Sequence, residues 1–225
     1  HKNELSMGLY LNPNADAFLE DKNTDIYIDK TLVLSELNKL LGSRNKFVCI
    51  SRPRRFGKSM AGNMISAYYS KGCDTKAVFS KMKIGEVAGF EENINKFNVI
   101  KLDLNGWYSN SCVRGEENKL IECINQELRE EFQGQFPNIP FPDNSSVDLL
   151  IRKVYAKTGE QFVIIIDEYD VLVREQVSKE LFGSYLRFLN GLFKDTALRP
   201  AIALAYITGI IPIVRDKVQS KLNEF

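Results

Sequence analysis

Histidine is almost absent from this sequence of 225 residues, since the single one is His1. This absence excludes histidine-based catalytic triads, histidine metal sites and histidine general bases. The four cysteines form no C-x-x-C pair and show no regular spacing, so neither a zinc site nor a disulfide framework is indicated. The longest apolar stretch, residues 201–214, is broken by Thr208, Gly209 and Pro212 and is too short to span a bilayer. We therefore expect a cytoplasmic protein that has no membrane partner.

An excess of charge of either sign is also lacking, because 30 Lys and Arg face 29 Asp and Glu and the net charge is +1. Such a surface has no global attraction for nucleic acid or anionic lipid, so any anion site must be local. The hydrophobic content of 44% is enough for a substantial core. We divide the chain into a lead-in segment, residues 1–25, and a main domain, residues 26–225. Residues 1–6 of the lead-in could derive from an expression tag.

A phosphate-binding loop is predicted at Ser-Arg-Pro-Arg-Arg-Phe-Gly-Lys-Ser, residues 51–59. The apolar run 47–50 precedes it, and a helical pattern that ends near Gly72 follows it, which is the context that a P-loop requires. Backbone N–H groups and a helix N-terminus would meet an anion there, while Lys58 reaches the phosphates and Ser59 ligates Mg²⁺. The predicted nucleotide-binding residues are Arg52, Pro53, Arg54, Arg55, Phe56, Gly57, Lys58, Ser59 and Met60. Since Arg52 stands where the common pattern has its first glycine, a basic surface turn is the alternative.

A second anchor is the apolar run 162–166, which is followed directly by Asp167 and Glu168. Its β-branched composition is typical of a strand that is buried on both faces. The carboxyl end of such a strand is where an open α/β sheet places its ligand, so Asp167 is predicted to hold Mg²⁺ and Glu168 to activate water. Asp170 lies just beyond. The alternative is a structural strand that merely ends in acids at a surface turn.

Periodicity predicts the remaining elements. The lead-in is expected to be extended or loosely packed, and residues 26–28 to be a short added strand. Asp29 or Thr31 is predicted to cap a helix, although Asp29 and Lys30 are also weak candidates for ligand binding, and Asp103 could lie at the rim of the site. Strands are expected at 99–104 and 201–209, and helices at 116–132, from Ser145 or Ser146 to Gly159, at 179–194 and at 213–225.

Four motifs together resemble the bacterial AAA-ATPase-like family. They are the loop at 51–59, Ile-Tyr-Ile-Asp-Lys-Thr at 26–31, Ile-Asp-Glu-Tyr-Asp at 166–170, and Thr-Gly-Ile at 208–210 with Leu-Asn-Glu-Phe at 222–225. The Arg52 of the loop is usual for that family. The resemblance implies a P-loop NTPase three-layer α/β sandwich with a mostly parallel sheet of the additional-strand (AAA/ASCE) type. In that type, the strand that ends at Thr208 lies between the Walker A and Walker B strands.

The resemblance also implies a boundary, because family members commonly continue into a restriction-nuclease-like (PD-(D/E)XK) domain. Residues 26–225 are therefore expected to be an AAA-like ATPase domain that stops before the last core strand. The implied activity is Mg²⁺-dependent ATP binding and hydrolysis, with Glu168, Lys58, Thr208 and Arg215 as the catalytic residues. Thr208 would act as a γ-phosphate sensor; a satisfied strand-end hydroxyl is the alternative for this residue. Arg54 and Arg55 are further candidates for stabilising charge, and Arg215 could act on a neighbouring subunit of a homo-oligomer. Nucleic acid is a candidate partner through the missing domain.

Other function classes remain as alternatives. A nucleotide-gated, weakly hydrolysing module that binds nucleic acid or protein would use the same loop and its arginines. A small-molecule kinase is possible in principle, although paired Asp and Glu favour water activation. A GTPase is disfavoured, because no Asn-Lys-x-Asp string occurs in the chain.

Overall fold

The computed structural model describes residues 8–51 and 60–210. Its strands are β1 (Phe47–Ser51), β2 (Asn98–Asp103), β3 (Phe162–Asp167) and β4 (Ile202–Gly209). Its α-helices are α1 (Asp16–Lys22), α2 (Leu32–Leu40), α3 (Met60–Tyr69), α4 (Lys76–Ser80), α5 (Leu104–Arg114), α6 (Leu120–Gln135), α7 (Val147–Thr158), α8 (Val171–Arg174) and α9 (Lys179–Phe193). Short 3₁₀ turns lie at Lys83–Glu86, Phe90–Glu92, Glu117–Lys119 and Arg199–Ala201.

The four strands form one sheet in the order β1-β4-β3-β2, and every pairing is parallel. Parallel neighbours need long crossover connections, and these connections carry the helices. The chain therefore has a mixed α/β fold whose strands all point their carboxyl ends to the same edge. Strand β4, although last in sequence, lies between β1 and β3.

Helices cover both faces of the sheet, because successive side chains of a strand point to opposite faces. On one face, alternate strand residues pack against α5, α6, α7 and α9; these residues include Ile100, Leu102, Phe162, Ile164 and Ile166. On the other face, the intervening residues pack against α1 to α4; these residues include Val99, Val163, Ile165, Leu204 and Tyr206. The result is a three-layer arrangement in which β3 is buried along its whole length.

Several predicted helices are confirmed within one turn. Helix α2 follows Thr31, α3 begins at Met60, and α7 follows Ser146. Helix α9 begins after Ser178, whose side-chain oxygen accepts the N–H of Leu181, as an N-cap does. None of the helices in the described parts of the chain combines the length and apolar content needed to cross a membrane. The predicted helix 213–225 lies outside the described residues.

Helix α5 was not predicted. Its sequence, LNGWYSNSCVR, contains Gly, Asn and Ser and shows no regular apolar stripe, so its periodicity is weak. The helix begins because the carboxylate of Asp103, at the end of β2, accepts the N–H of Asn105 at 3.1 Å. Helix formation here depends on that cap and on packing against the sheet.

The expectation of a loosely packed lead-in is wrong for residues 8–25. Leu11 is buried and bridges antiparallel to Ile100 on the edge strand β2. The carboxylate of Glu131 accepts backbone N–H groups from Leu9, Tyr10 and Leu11. Helix α1 then buries Phe18 in the core. Contacts with β2 and α6 order this segment, and its own sequence could not show them.

The expected short strand at residues 26–28 is also wrong, since this segment has no strand pairing. Ile26 is 86% exposed and Ile28 is 66% exposed. Their apolar character was interpreted as a strand signal, yet the sheet ends at β1 on one edge and β2 on the other within the described residues.

Candidate functional site

The carboxyl edge of the sheet brings together the ends of the strands that sequence analysis singled out. Ser51 at the end of β1 lies opposite Gly209 of β4, and Asp103 of β2 lies opposite Asp167 of β3. The chain leaves this edge after Ser51 and re-enters the described structure at Met60, the first residue of α3. The predicted phosphate loop therefore starts at the edge where Asp167 and Thr208 lie. Residues 52–59 and Arg215 are outside the described residues, so the roles given to Arg52 to Ser59 and to Arg215 stay predictions.

The first turn of α3 approaches Asp167 very closely. A β-carbon built on Gly62 would lie 2.8 Å from Oδ2 of Asp167, which is closer than such atoms normally come. Only glycine allows the helix that follows the predicted loop to pack at this distance. Gly62 thereby places the loop's helix against the carboxylate that sequence analysis assigned to Mg²⁺.

Thr208 joins the ends of β3 and β4 through its hydroxyl. Thr208 is 3% exposed and Asp167 is 2% exposed. Oγ1 of Thr208 donates to Oδ1 of Asp167 at 3.0 Å. The same Oγ1 accepts the backbone N–H of Glu168 at 3.3 Å. The hydroxyl is thus a bridge between both acidic residues. The sequence offered a phosphate sensor and a satisfied strand-end hydroxyl as interpretations of Thr208, and these contacts are compatible with both.

Glu168 has a left-handed backbone, with φ of +54°. For a residue with a side chain this conformation costs roughly 1–2 kcal/mol, so surrounding contacts must hold it. Its half-buried side chain follows the fully buried strand β3 at the carboxyl edge. This turn directs the chain sharply from β3 into α8.

The next two residues anchor the turn to β4. The backbone N–H of Tyr169 donates to the carbonyl oxygen of Thr208 at 2.9 Å. The Tyr169 ring lies so close to Gly209 that a β-carbon there would be 2.4 Å from a ring carbon. Buried Asp170 accepts the N–H of Ile210 at 3.0 Å and pairs with Arg174 at 3.5 Å. Asp170 therefore has a structural place between β4 and α8.

Tyr185 on α9 makes a contact that sequence analysis did not predict. Its hydroxyl donates to the carbonyl oxygen of Tyr169 at 2.6 Å. Complete burial raises the pKa of Tyr185 well above its usual value, and the neighbouring Tyr169 and Asp170 add to this effect. The hydroxyl therefore keeps its proton and remains a donor. No local pattern could indicate which carbonyl it meets.

Thr31 is the N-cap residue of α2, but no side-chain hydrogen bond caps this helix, so the prediction that Asp29 caps it is wrong. Asp29 instead bonds to Thr31 and to the 3₁₀ turn that begins at Lys83. Its carboxylate accepts the N–H of Thr31 at 2.9 Å, the Thr31 hydroxyl at 2.6 Å and the N–H of Lys83 at 2.9 Å. Burial tends to raise the pKa of Asp29, but the hydrogen bonds from Thr31 and Lys83 lower it overall. A ligand role for Asp29 and Lys30 stays a prediction.

Asp103 reaches the carboxyl edge, as expected, but on the outer strand. Besides capping α5, it lines a cavity of about 460 Å³ that also borders Asn63 and Ser66 of α3 and Trp107 of α5. The cavity lies between α1, α3, α5 and α6. It adjoins the side of α3, whereas Gly62 carries the contact to Asp167.

Comparison with known proteins gives a relative, a family and no structural match. An uncharacterized protein in the vnfD 5′ region of Azotobacter chroococcum mcd 1 is 24% identical over 213 residues. The match covers 88% of this chain and 36% of that protein, so the chain spans about a third of the relative's length. No solved structure matches the chain. A family model described as Predicted AAA-ATPase matches residues 18–219. Because that match covers most of the chain, this protein belongs to the Predicted AAA-ATPase family.

Proposed function

We propose that this chain is a P-loop ATPase domain, which binds ATP with Mg²⁺ at the carboxyl edge of its sheet and hydrolyses it to ADP and phosphate. The observation that carries the proposal is the hydrogen-bonded group formed by Asp167, Glu168 and Thr208. This group lies beside α3, which directly follows the Gly-Lys-Ser segment. Membership in a family of predicted AAA-ATPases supports the same activity.

The strand order supports the additional-strand type of P-loop fold. Strand β1 precedes the Gly-Lys-Ser segment, β3 ends in Asp167, and β4 lies between them. Thr208 at the tip of β4 is consequently next to both acidic residues. This neighbourhood suits a group that senses the γ-phosphate or the attacking water.

The donor set suits Mg²⁺, because carboxylate and hydroxyl oxygens are its preferred protein ligands. Asp167 and Ser59 would hold the ion, which when bound neutralises charge on the β- and γ-phosphate oxygens. Lys58 would add a positive charge at the same phosphates. Thr208 already fixes one carboxylate oxygen of Asp167, so the carboxylate is oriented before any ligand arrives.

Glu168 is proposed as the general base. Its carboxylate would take a proton from water while the water oxygen forms a bond to the γ-phosphorus. The bond between that phosphorus and the bridging oxygen breaks, and ADP leaves with the electron pair. Catalysis of this kind depends mainly on positioning and electrostatics, which suits a site without histidine. Arg54, Arg55 and Arg215 are the proposed stabilisers of charge on the transferred group.

The chain's length relative to its curated relative suggests a wider setting. Since the chain spans 36% of that protein, we propose that the ATPase acts as the motor or regulatory part of a larger cytoplasmic protein. A nuclease-like domain, a nucleic-acid partner and a homo-oligomer belong to the same proposal. A second candidate, a weakly hydrolysing binding module, is favoured by the cluster Arg52, Arg54 and Arg55 in the predicted loop.

A calorimetric titration with ATP and Mg²⁺, with GTP as the comparison, tests the proposal. Saturable binding that favours ATP and is lost in Lys58→Ala is the expected result. Glu168→Gln should bind ATP but not hydrolyse it. Wild-type ATP affinity in Lys58→Ala would contradict the assignment of the loop. Salt-dependent binding of DNA that survives Lys58→Ala, but not the joint neutralisation of Arg54 and Arg55, would favour the binding module.

A further inference from the structure

We propose that Tyr185 is a positioning residue for Glu168. It lies on α9, away from the predicted loop, and it would act by holding the turn that carries the general base. This inference rests on the proposed ATPase function for its consequence in catalysis. Its structural part, the restraint of the Glu168 turn, can be tested without ATP.

The two successive peptide units that follow Glu168 are each bonded to a different element. The N–H of Tyr169 donates to the carbonyl of Thr208 on β4 at 2.9 Å, and the carbonyl of Tyr169 accepts the Tyr185 hydroxyl on α9 at 2.6 Å. The N–H of Glu168 itself meets Oγ1 of Thr208 at 3.3 Å. The turn is therefore bonded to β4 on one side and to α9 on the other.

Such restraint matters because the turn is strained. Glu168 has φ of +54°, a conformation that residues with side chains rarely adopt and that relaxes unless neighbouring contacts over-determine it. Two of the contacts come from Thr208, which lies on the adjacent strand. The contact from Tyr185 comes from α9, in the helical layer.

The buried hydroxyl of Tyr185 would destabilise the folded protein if it had no hydrogen bond to the carbonyl of Tyr169. Tyr185 is completely buried, and an aromatic ring without the hydroxyl would pack in the same space. A buried hydroxyl that makes its hydrogen bond contributes modestly to stability, and its removal takes this donor from the buried Tyr169 carbonyl, a type of cost that the matched variant below shares. The effect specific to Tyr185 is directional: the hydroxyl determines where the Tyr169 carbonyl points. A small displacement of a catalytic group lowers rate more than it lowers stability.

The test compares Tyr185→Phe with Tyr68→Phe. Tyr68 is equally buried, on the opposite face of the sheet. Its hydroxyl donates to the carbonyl of Phe90 at 2.5 Å and accepts a side-chain N–H of Asn38 at 3.0 Å. Both variants lose one buried hydroxyl that bonds a backbone carbonyl, but only Tyr185 contacts the turn. We expect Tyr185→Phe to lower kcat about tenfold with an unchanged dissociation constant for ATP. Tyr68→Phe should leave kcat unchanged.

Hydrogen–deuterium exchange of the protein without nucleotide gives a second readout. The peptide that contains Glu168 and Tyr169 should exchange faster in Tyr185→Phe than in the wild type or in Tyr68→Phe. Unchanged exchange of this peptide, or a kcat equal to that of the Tyr68 variant, would overturn the inference. If the wild-type chain neither binds nor hydrolyses ATP, the proposed function fails, while the exchange rates still decide whether Tyr185 holds the turn.

Discussion

Replacing Thr208 with valine removes a hydroxyl while keeping nearly the same volume. In the wild type this hydroxyl donates to buried Asp167 at 3.0 Å and accepts the N–H of Glu168 at 3.3 Å. Valine can make neither contact. The variant therefore withdraws one donor from a carboxylate and one acceptor from the strained turn, at a position that solvent hardly reaches.

The size of the effect follows from the two bonds. A hydrogen bond to a carboxylate contributes roughly 1.5–3 kcal/mol, and the longer bond from the backbone N–H contributes roughly 0.5–1 kcal/mol. The additional apolar group of valine offsets part of this loss, by up to ~0.8 kcal/mol. We expect Thr208→Val to lower the free energy of unfolding by about 2 kcal/mol.

Urea unfolding followed by circular dichroism measures this difference, and Thr208→Ser is the matched control. Serine keeps the hydroxyl and loses one methyl group, which costs about 0.8 kcal/mol. The urea midpoint of Thr208→Val should fall by about 1 M, and below that of Thr208→Ser, if unfolding remains two-state. A valine variant within about 0.5 kcal/mol of the wild type would refute the claim that this hydroxyl joins the two strand ends.

Three further predictions concern the surroundings of the site. Gly62→Ala should push on the carboxylate of Asp167 and weaken Mg²⁺-dependent ATP binding about tenfold, as measured by calorimetry. Asp29→Asn should have a lower free energy of unfolding than the wild type above pH 3.8, which is the ordinary pKa of an aspartate. This difference should disappear as the pH falls through the lowered pKa of Asp29 in the folded state. Glu131→Ala should release three backbone N–H groups of the lead-in and speed proteolysis before α1.

The predictions for Gly62 and Glu131 each have a control on the same chain. Gly134 in α6 has open space at its β-carbon position, so Gly134→Ala should raise stability and leave ATP binding unchanged. Equal ATP affinity in the Gly62 and Gly134 variants would contradict the contact with Asp167. A pH-independent deficit for Asp29→Asn would show that the carboxyl pKa is not lowered on folding. Exposed Glu130 serves as the control for Glu131, and equal proteolysis of the two variants would remove the carboxylate anchor.

The strands and amphipathic helices were predictable because their signals are local. Strand β3 is apolar throughout, and this pattern predicts burial on both faces before any contact is known. Helix α9 combines a cap at Ser178 with an apolar stripe, so its start and its buried face could both be assigned. In contrast, α5 depends on a cap from β2, and the lead-in depends on Glu131 far along the chain. Periodicity carries no information about such distant partners.

The residues of the candidate site also include some that the sequence could indicate and some that it could not. Asp167, Glu168 and Thr208 could be singled out because each lies at the carboxyl end of a buried strand or directly after it, and parallel strands bring their carboxyl ends together. Gly62 and Tyr185 could not, since a helical glycine and a core tyrosine have ordinary structural explanations. Gly62 matters because it has no β-carbon beside Asp167, and Tyr185 matters because its hydroxyl meets the carbonyl of Tyr169.

The left-handed backbone of Glu168 is the point where local preference and the structure disagree. A sequence rule assigns such a turn to glycine or asparagine, and glutamate there is unfavourable by itself. The conformation persists because Thr208 and Tyr185 bond the adjacent peptide units from two different layers of the fold. Proteins tolerate such local conflicts mainly at functional sites, where a side chain must be directed precisely. Exposed Gln176 has a similar backbone, with φ of +51°, outside the site, so the strain at Glu168 supports its proposed role through these contacts and through its place at the carboxyl edge.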